Sequence, residues 1–242
     1  MEKIVDNYKI IKKIDSSELK AFGDSASPRG LIFHILKDNS ESVNVLDIGF
    51  GAGKLGLDIK NNSKTAHWQV DGIDGWAPNC QNVKLFEKNI YRNIWLGYAE
   101  EISETELSQY KILCLLDVIE HLDVEKSKSL IQYLLGKMNE DAFLFISTPL
   151  WFYPQDQQQE GDLEEHKIGV PATSMFAMIP VMYAFNNPLI GGFVYSKKSA
   201  AYADLFNPTA NKGFNYEMGL TVLKALNINP EPGVCYKVGE SK

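Results

Sequence analysis

Three aspartates and a run of glycines carry the chemistry visible in this sequence. Val45-Leu46-Asp47-Ile48-Gly49-Phe50-Gly51-Ala52-Gly53-Lys54-Leu55-Gly56 reads as a short apolar strand, a glycine-rich turn and the start of a helix. Glycine lacks a Cβ and tolerates positive φ, so backbone can approach a ligand closely at such a turn. The first N–H groups of the helix point at whatever sits above the strand. Asp47 adds a carboxylate at the strand's C-terminal end. It would repel the two phosphates of a dinucleotide and would favour a ligand carrying an ammonium group and no phosphate. Asp74 closes a second apolar strand, in Val70-Asp71-Gly72-Ile73-Asp74-Gly75-Trp76, and lies 21 residues beyond Gly53. At that place one carboxylate can hold two ribose hydroxyls, and Trp76 offers an apolar face beside the ribose or base. Asp117 ends a third strand, in Leu115-Leu116-Asp117-Val118-Ile119-Glu120-His121-Leu122.

The elements that must position these residues follow from punctuation and periodicity. Ser27-Pro28 signals a helix start, and that helix runs through Leu31 to Leu36 and stops before Asp38-Asn39-Ser40. A first strand over Asn44 to Ile48 leads through the glycine turn into a helix to about Lys60. A second strand spans His67 to Ile73, Pro78 opens a helix to about Lys88, and Tyr91 to Leu96 makes a third strand. Ser103 and Glu106 have capping-box spacing. Ile112 to Leu116 is a continuous apolar strand of the kind buried on both faces. Asp123 then caps a helix from Val124 to about Met138, with Leu130, Ile131, Leu134 and Leu135 on one face. Ala142 to Ser147 is a fifth strand. Strands alternating with helices imply right-handed crossovers and a parallel sheet.

After Thr148-Pro149 the alternation breaks. Residues 151–167 form a long polar loop that begins with Trp151-Phe152-Tyr153, aromatics suited either to wall a pocket or to cover a sheet edge. A short helix from Pro171 to Met178 follows, then Val181 to Phe185 and Gly192 to Ser196 as a hairpin. The last forty residues hold a helix over Tyr216 to Leu226 and a proline-containing tail. Near the start, Ile10 to Ile14 makes a short amphipathic element.

At 242 residues, the chain suits one α/β domain with room for an extra lobe. The hydrophobic share of 45% argues for a packed core rather than disorder. No apolar run reaches the roughly 18 residues a membrane span requires. The N-terminus alternates charge with apolar residues, unlike a secretory signal. Cysteines 80, 114 and 235 show no metal-site spacing, and reduced thiols in a cytoplasmic compartment are expected. A net charge of −7 without a basic stripe argues against a nucleic-acid partner. Oligomeric state is not readable.

On these motifs the chain resembles a class I S-adenosylmethionine-dependent methyltransferase, from about residue 28 to 198. VLDIGFGAGKLG is similar to that family's first motif, with Phe50 where a small residue or cysteine is more usual. The acidic residue closing strand two and LLDVIEHL at the end of strand four are the other two matching features. The resemblance implies a doubly wound, mostly parallel seven-stranded α/β sheet, with helices on both faces and a C-terminal antiparallel hairpin. It divides the chain into an N-terminal extension (1–27), a methyltransferase domain (28–198) and a C-terminal helical extension (199–242). It also implies S-adenosylmethionine as methyl donor and S-adenosylhomocysteine as product. The implied cofactor-binding residues are Asp47, Gly49, Gly51, Gly53, Asp74, Gly75, Trp76, Ala99 and Asp117. Where many relatives place a carboxylate in a Gly-Asp-Ala segment for the adenine amino group, this chain has Gly97-Tyr98-Ala99-Glu100. Adenine recognition would then rest on backbone groups or on Glu100.

His121 and His166 are the candidate catalytic residues, because a neutral imidazole accepts a proton near pH 7. Each also has a bland reading, at a helix entrance and in a solvated loop respectively. His34 and His67 read as structural. The resemblance leaves room for a metal site from Glu120, His121, Glu165 and His166, because some family members use Glu and His at comparable places. Nothing in the spacing demands one, and none is expected. The expected reaction is methyl transfer to a small-molecule or glycan-type acceptor, at oxygen. Two alternatives stand beside it. Gly51-Ala52-Gly53-Lys54-Leu55-Gly56 is formally a G-x-G-x-x-G, which fits an NAD(P)-dependent oxidoreductase, although Asp47 opposes it. A non-catalytic relative that binds S-adenosylmethionine or serves as a scaffold is the other.

Overall fold

The computed structural model describes residues 8–14, 30–33, 41–186, 190–227 and 235–240. The strands are β1 (Tyr8–Ile14), β2 (Asn44–Ile48), β3 (Gln69–Asp74), β4 (Asn93–Leu96), β5 (Ile112–Leu116), β6 (Phe143–Pro149), β7 (Met182–Asn186), β8 (Ile190–Ser196) and β9 (Cys235–Glu240). They form one sheet in the order β1-β9-β7-β8-β6-β5-β2-β3-β4. The five strands β2 to β6 pair in parallel, and β8, β7, β9 and β1 continue the sheet antiparallel.

The parallel half follows from helical crossovers. Helix α1 (Lys54–Asn61) leads from β2 towards β3 and buries Leu55 and Ile59, one turn apart. Between β3 and β4 the chain forms two short helices, α2 (Ala77–Cys80) and α3 (Val83–Glu87), where the sequence reads as one. Asn82 interrupts them, its side chain accepting the Lys84 N–H as an N-cap. Helix α4 (Glu104–Leu107) starts with the expected capping box, Ser103 and Glu106 each satisfying the other's backbone N–H. Helix α5 (Val124–Lys137) joins β5 to β6 and buries Leu130, Ile131, Leu134 and Leu135. Each of these is worth about 1.5–3 kcal/mol relative to exposure. Asp123 sits at its N-cap position, yet its side chain makes no capping hydrogen bond.

Period-two alternation divides the core between the two faces of the sheet. Leu113 and Leu115 of β5 join α5 on one face, while Ile112 and Cys114 join α1 on the other. Buried Asp71 in β3 accepts hydrogen bonds from Tyr110, Arg92 and Asn93, tying the edge strand β4 to the chain before β5.

The seven strands of the expected fold are all present, and two more extend the sheet. Segment 199–242 carries, besides helix α7 (Tyr216–Ala225), the strand β9. Six residues without strict alternation, beyond two prolines, are too few to separate a strand from coil by pattern alone. The amphipathic element at Ile10 to Ile14 is β1, antiparallel to β9. Helix α6 (Ala172–Ala177) and the 3₁₀ segment Lys197–Leu205 complete the antiparallel half. Residues 30–33 are helical. Ser27-Pro28 and the stop at Asp38-Asn39-Ser40 lie outside the described residues, as do His34 and residues 187–189 of the hairpin. No helix among the described residues is long and apolar enough to cross a membrane.

Candidate functional site

Strand order reverses between β2 and β5, and in open α/β sheets ligands bind outside the carboxyl ends of the strands at such a point. A cavity of 720 Å³ lies there. Asp47, Gly49, Gly51, Asp74, Gly75, Trp76, Ala99, Asp117 and His121 all line it. Gly53 and His166 are not in its wall. A Cβ at Gly53 would meet Leu85 at 2.6 Å, so this glycine serves the packing beneath the turn. A Cβ at Gly49 would likewise meet Val118 at 2.6 Å, whereas one at Gly51 would find nothing within 4 Å. All three have positive φ.

Asp74 organises the glycine-turn side of the cavity. Its Oδ2 accepts from the Gly51 N–H at 2.9 Å and from Asn79 Nδ2 at 3.0 Å, and its Oδ1 accepts from the Trp76 N–H at 2.8 Å. The carboxylate therefore braces the glycine turn and orients Trp76, with acceptor capacity left for a ligand's hydroxyls. Asp47 is buried, and its Oδ2 accepts from the Tyr91 hydroxyl at 2.7 Å. Burial, reinforced by the Asp47 charge, pushes the Tyr91 hydroxyl well above its usual pKa, so it stays a donor.

The two departures from the family's motifs have packing reasons. Gly72 in β3 leaves room for the Phe50 ring, which would stand 2.7 Å from a Cβ there and which packs against Tyr91 at 5.2 Å between centroids. Gly75 plays the same part for Tyr98, whose ring would lie 2.9 Å from an added Cβ. Tyr98, Ala99 and Glu100 all line the cavity.

Beyond β5 the chain bends sharply. Asp117 has φ 56°, and its Oδ1 accepts from the Ser147 hydroxyl at 2.8 Å. The 3₁₀ turn Ile119–His121 then presents Glu120, which is 1% exposed. Glu120 Oε2 accepts from Thr148 at 2.9 Å, and Oε1 has no hydrogen-bond partner. Burial, and next the Asp117 charge, raise the Glu120 carboxyl well above the usual range. The loop after β6 returns to this turn: the Lys167 N–H donates to the Glu120 carbonyl at 2.8 Å. That anchor sets His166 edge-on to His121, 4.7 Å between ring centroids. His121 Nδ1 lies 3.2 Å from the Glu165 carbonyl, and His166 Nδ1 lies 2.7 Å from the Tyr153 carbonyl. A carbonyl only accepts, so each Nδ1 carries hydrogen and each Nε2 of the neutral ring presents a lone pair. Burial lowers both pKa values and keeps the rings neutral.

The same loop closes over the cavity with Leu163, Glu164 and Lys167. Its fold rests on Asp162, whose carboxylate accepts the backbone N–H groups of Gln158, Gln159 and Glu164 at 2.7–3.1 Å. Burial works against the charge of Asp162, and those donors outweigh it and hold the pKa below the usual value. Trp151 and Phe152 are buried and absent from the cavity wall: Trp151 packs against Phe214 and Gly219, Phe152 lies against Gly169, and Tyr153 is exposed.

No protein-family model matches the sequence, and no curated protein matches it. Among solved structures, a Pyrococcus horikoshii protein superposes with a TM-score of 0.50 at 12% identity, over 69% of this chain and 87% of that one. The methyltransferase domain of a bacterial Hen1 superposes with a TM-score of 0.50 at 15% identity, over 72% of this chain and 100% of that domain. Counted over β2 to β8, the strand order is 3-2-1-4-5-7-6. The fold is that of the class I methyltransferases. Within this methyltransferase fold, the residues that sequence reasoning overlooked are the supports. Tyr91 lies 44 positions from Asp47, and no local pattern joins them. Asn79, five residues past Asp74 at the start of a helix, was the more readable of the two.

Proposed function

We propose that this chain binds S-adenosylmethionine in the cavity and transfers its methyl group to an oxygen of a small-molecule or glycan-type acceptor, releasing S-adenosylhomocysteine. The observation that carries the reading is the charge of the wall. Seven carboxylates line the cavity against three lysines, Lys54, Lys126 and Lys167. Such a field favours a sulfonium and an ammonium and opposes the pyrophosphate of a dinucleotide. In this reading Asp74 holds the ribose hydroxyls, Trp76 and Tyr98 flank the base, and Gly49 and Gly51 admit the methionine portion beside Asp117.

The chemical step needs little from the protein beyond alignment and exclusion of water. The acceptor oxygen's lone pair forms the O–C bond as the C–S bond breaks in line, and that electron pair turns the sulfonium into a thioether. The hydroxyl proton must leave as the bond forms. In this reading His121, in the cavity wall, activates that hydroxyl, with His166 edge-on to it behind the wall.

Calorimetric titration with S-adenosylmethionine, S-adenosylhomocysteine and NADH tests the donor, and a radiolabelled methyl-transfer screen over metabolite and glycan pools tests the acceptor. Binding of NADH alone would sink the reading, and adenosyl-ligand binding without transfer to any pool would favour a non-catalytic role. The glycine turn supplies a sharper check. Gly51→Ala puts a methyl group into open space, so it is expected to cost about 1 kcal/mol of stability while weakening S-adenosylhomocysteine binding. Gly53→Ala is expected to lower the melting temperature further, through the clash with Leu85. The reverse ranking in melting temperature would show that the turn is misassigned.

A further inference from the structure

We propose that Glu120, His121 and His166 form a three-ligand site for a divalent transition-metal ion at the acceptor end of the cavity. One ligand atom from each residue lies within 4.8 Å of the other two. An ion held tetrahedrally at about 2.1 Å from each would bring them to about 3.4 Å apart, a contraction of order 1 Å that side-chain rotation supplies.

Several independent features of these residues suit a metal better than a packing role. Glu120 Oε1 is buried and unsatisfied while Oε2 is held by Thr148, so the free oxygen has a fixed direction and no partner. A buried acceptor left unmade costs about 1–3 kcal/mol, and native proteins leave few such groups without a function. The two histidines are each oriented by a backbone carbonyl at Nδ1, which leaves Nε2 as the coordinating atom of both. That is the outer arrangement that ligating histidines use. Without an ion, the Glu120 carboxyl can offer these groups at most one proton, enough for one imidazole lone pair and not for both. A single cation satisfies all three.

The donor set selects the class of ion. Two imidazoles with one carboxylate suit zinc and its neighbours cobalt, iron and manganese, whereas magnesium and calcium prefer all-oxygen shells. Three protein ligands leave coordination positions open, and His121 stands in the cavity wall. This deepens the functional reading and rests on it only for what the ion does. An acceptor hydroxyl bound at an open position loses its proton to solvent more readily, and its oxygen is held for in-line attack on the methyl group. Glu165, which a sequence-based set would have included, pairs instead with Lys212 at 3.6 Å.

The test uses the full chain after chelator treatment, titrated with Co2+ and followed by its visible d–d absorption, then displaced with Zn2+. One ion per chain is expected. His166→Ala and Glu120→Gln are expected to weaken Co2+ binding at least about a hundred-fold, since losing even an outer partner of a ligand costs 10–100-fold. Circular dichroism reports whether each variant is folded. If Glu120→Gln fails to fold, His166→Ala decides, because its residue comes from a loop. Absence of stoichiometric Co2+ or Zn2+ binding by the folded wild type would overturn the proposal, as would undiminished binding in the variants or binding of Mg2+ alone. Titration of the metal-free protein with S-adenosylhomocysteine keeps the two readings apart. Retained nucleoside binding with no metal binding sinks only the metal site, and the converse sinks only the donor assignment.

Discussion

Asp74→Ala is expected to weaken S-adenosylhomocysteine binding by about a hundred-fold or more, equivalent to roughly 2.7 kcal/mol. Hydrogen bonds to an ionised acceptor are worth about 1.5–3 kcal/mol each, and the proposed ribose contact loses two of them. The substitution also removes the brace on the Gly51 N–H, the Trp76 N–H and Asn79, so the turn and the aromatic wall lose their registration together. Asp74→Asn retains one oxygen and most of the shape, and is expected to fall between alanine and the wild type. Calorimetric titration reads both. An alanine variant that binds within threefold of the wild type would mean that the ligand does not use this carboxylate, and the donor site would have to be sought elsewhere.

Gly219→Ala is expected to cost at least about 3 kcal/mol, because overpacking against a rigid neighbour exceeds the usual 1–3 kcal/mol. Gly219 lies in α7, and a Cβ there would stand 1.6 Å from Trp151 Nε1. The indole cannot move aside. It is 4% exposed, packs on Phe214 at 4.9 Å between ring centroids, and belongs to a residue with φ 70°. A bulky residue in that left-handed conformation stores about 1–3 kcal/mol of strain and persists only where its surroundings hold it. Loosening α7 would release it. For a chain of this size 1 kcal/mol corresponds to about 2–4 °C, so thermal unfolding should fall by about 6–12 °C. Gly136→Ala in α5 is the control: nothing lies within 4 Å of its added Cβ, and alanine favours the helix. Equal melting of the Gly219 variant and the wild type would refute the packing of Trp151.

The parts of this molecule that could be read from sequence are those whose signals are local. The glycine turn, Asp74 and Asp117 each close an apolar strand within a few residues, and the structure puts all of them around one cavity. The Ser103–Glu106 capping box was legible for the same reason. Contacts between distant positions were not. His166 reaches His121 only because the Lys167 N–H finds the Glu120 carbonyl, an anchor that no spacing encodes. Trp151 reads equally as a pocket wall or a cover for the sheet edge, and is neither, since its place depends on a glycine 68 positions away. Glu120 read as one member of an acidic–histidine pair, and its burial with an unpaired oxygen emerges only from the packing around Thr148.

The pairing of β1 with β9 bears on how the chain is made. The register joins Tyr8 to Glu240 and Ile14 to Cys235, so strands from opposite ends of the described chain are neighbours. During synthesis β1 leaves the ribosome long before its partner exists, and closing so long a loop is entropically slow. The parallel half, whose crossovers are short, can form first, leaving this edge of the sheet to be sealed last. Until then β1 presents unpaired backbone, the interval in which a nascent chain is most exposed to chaperones and to aggregation.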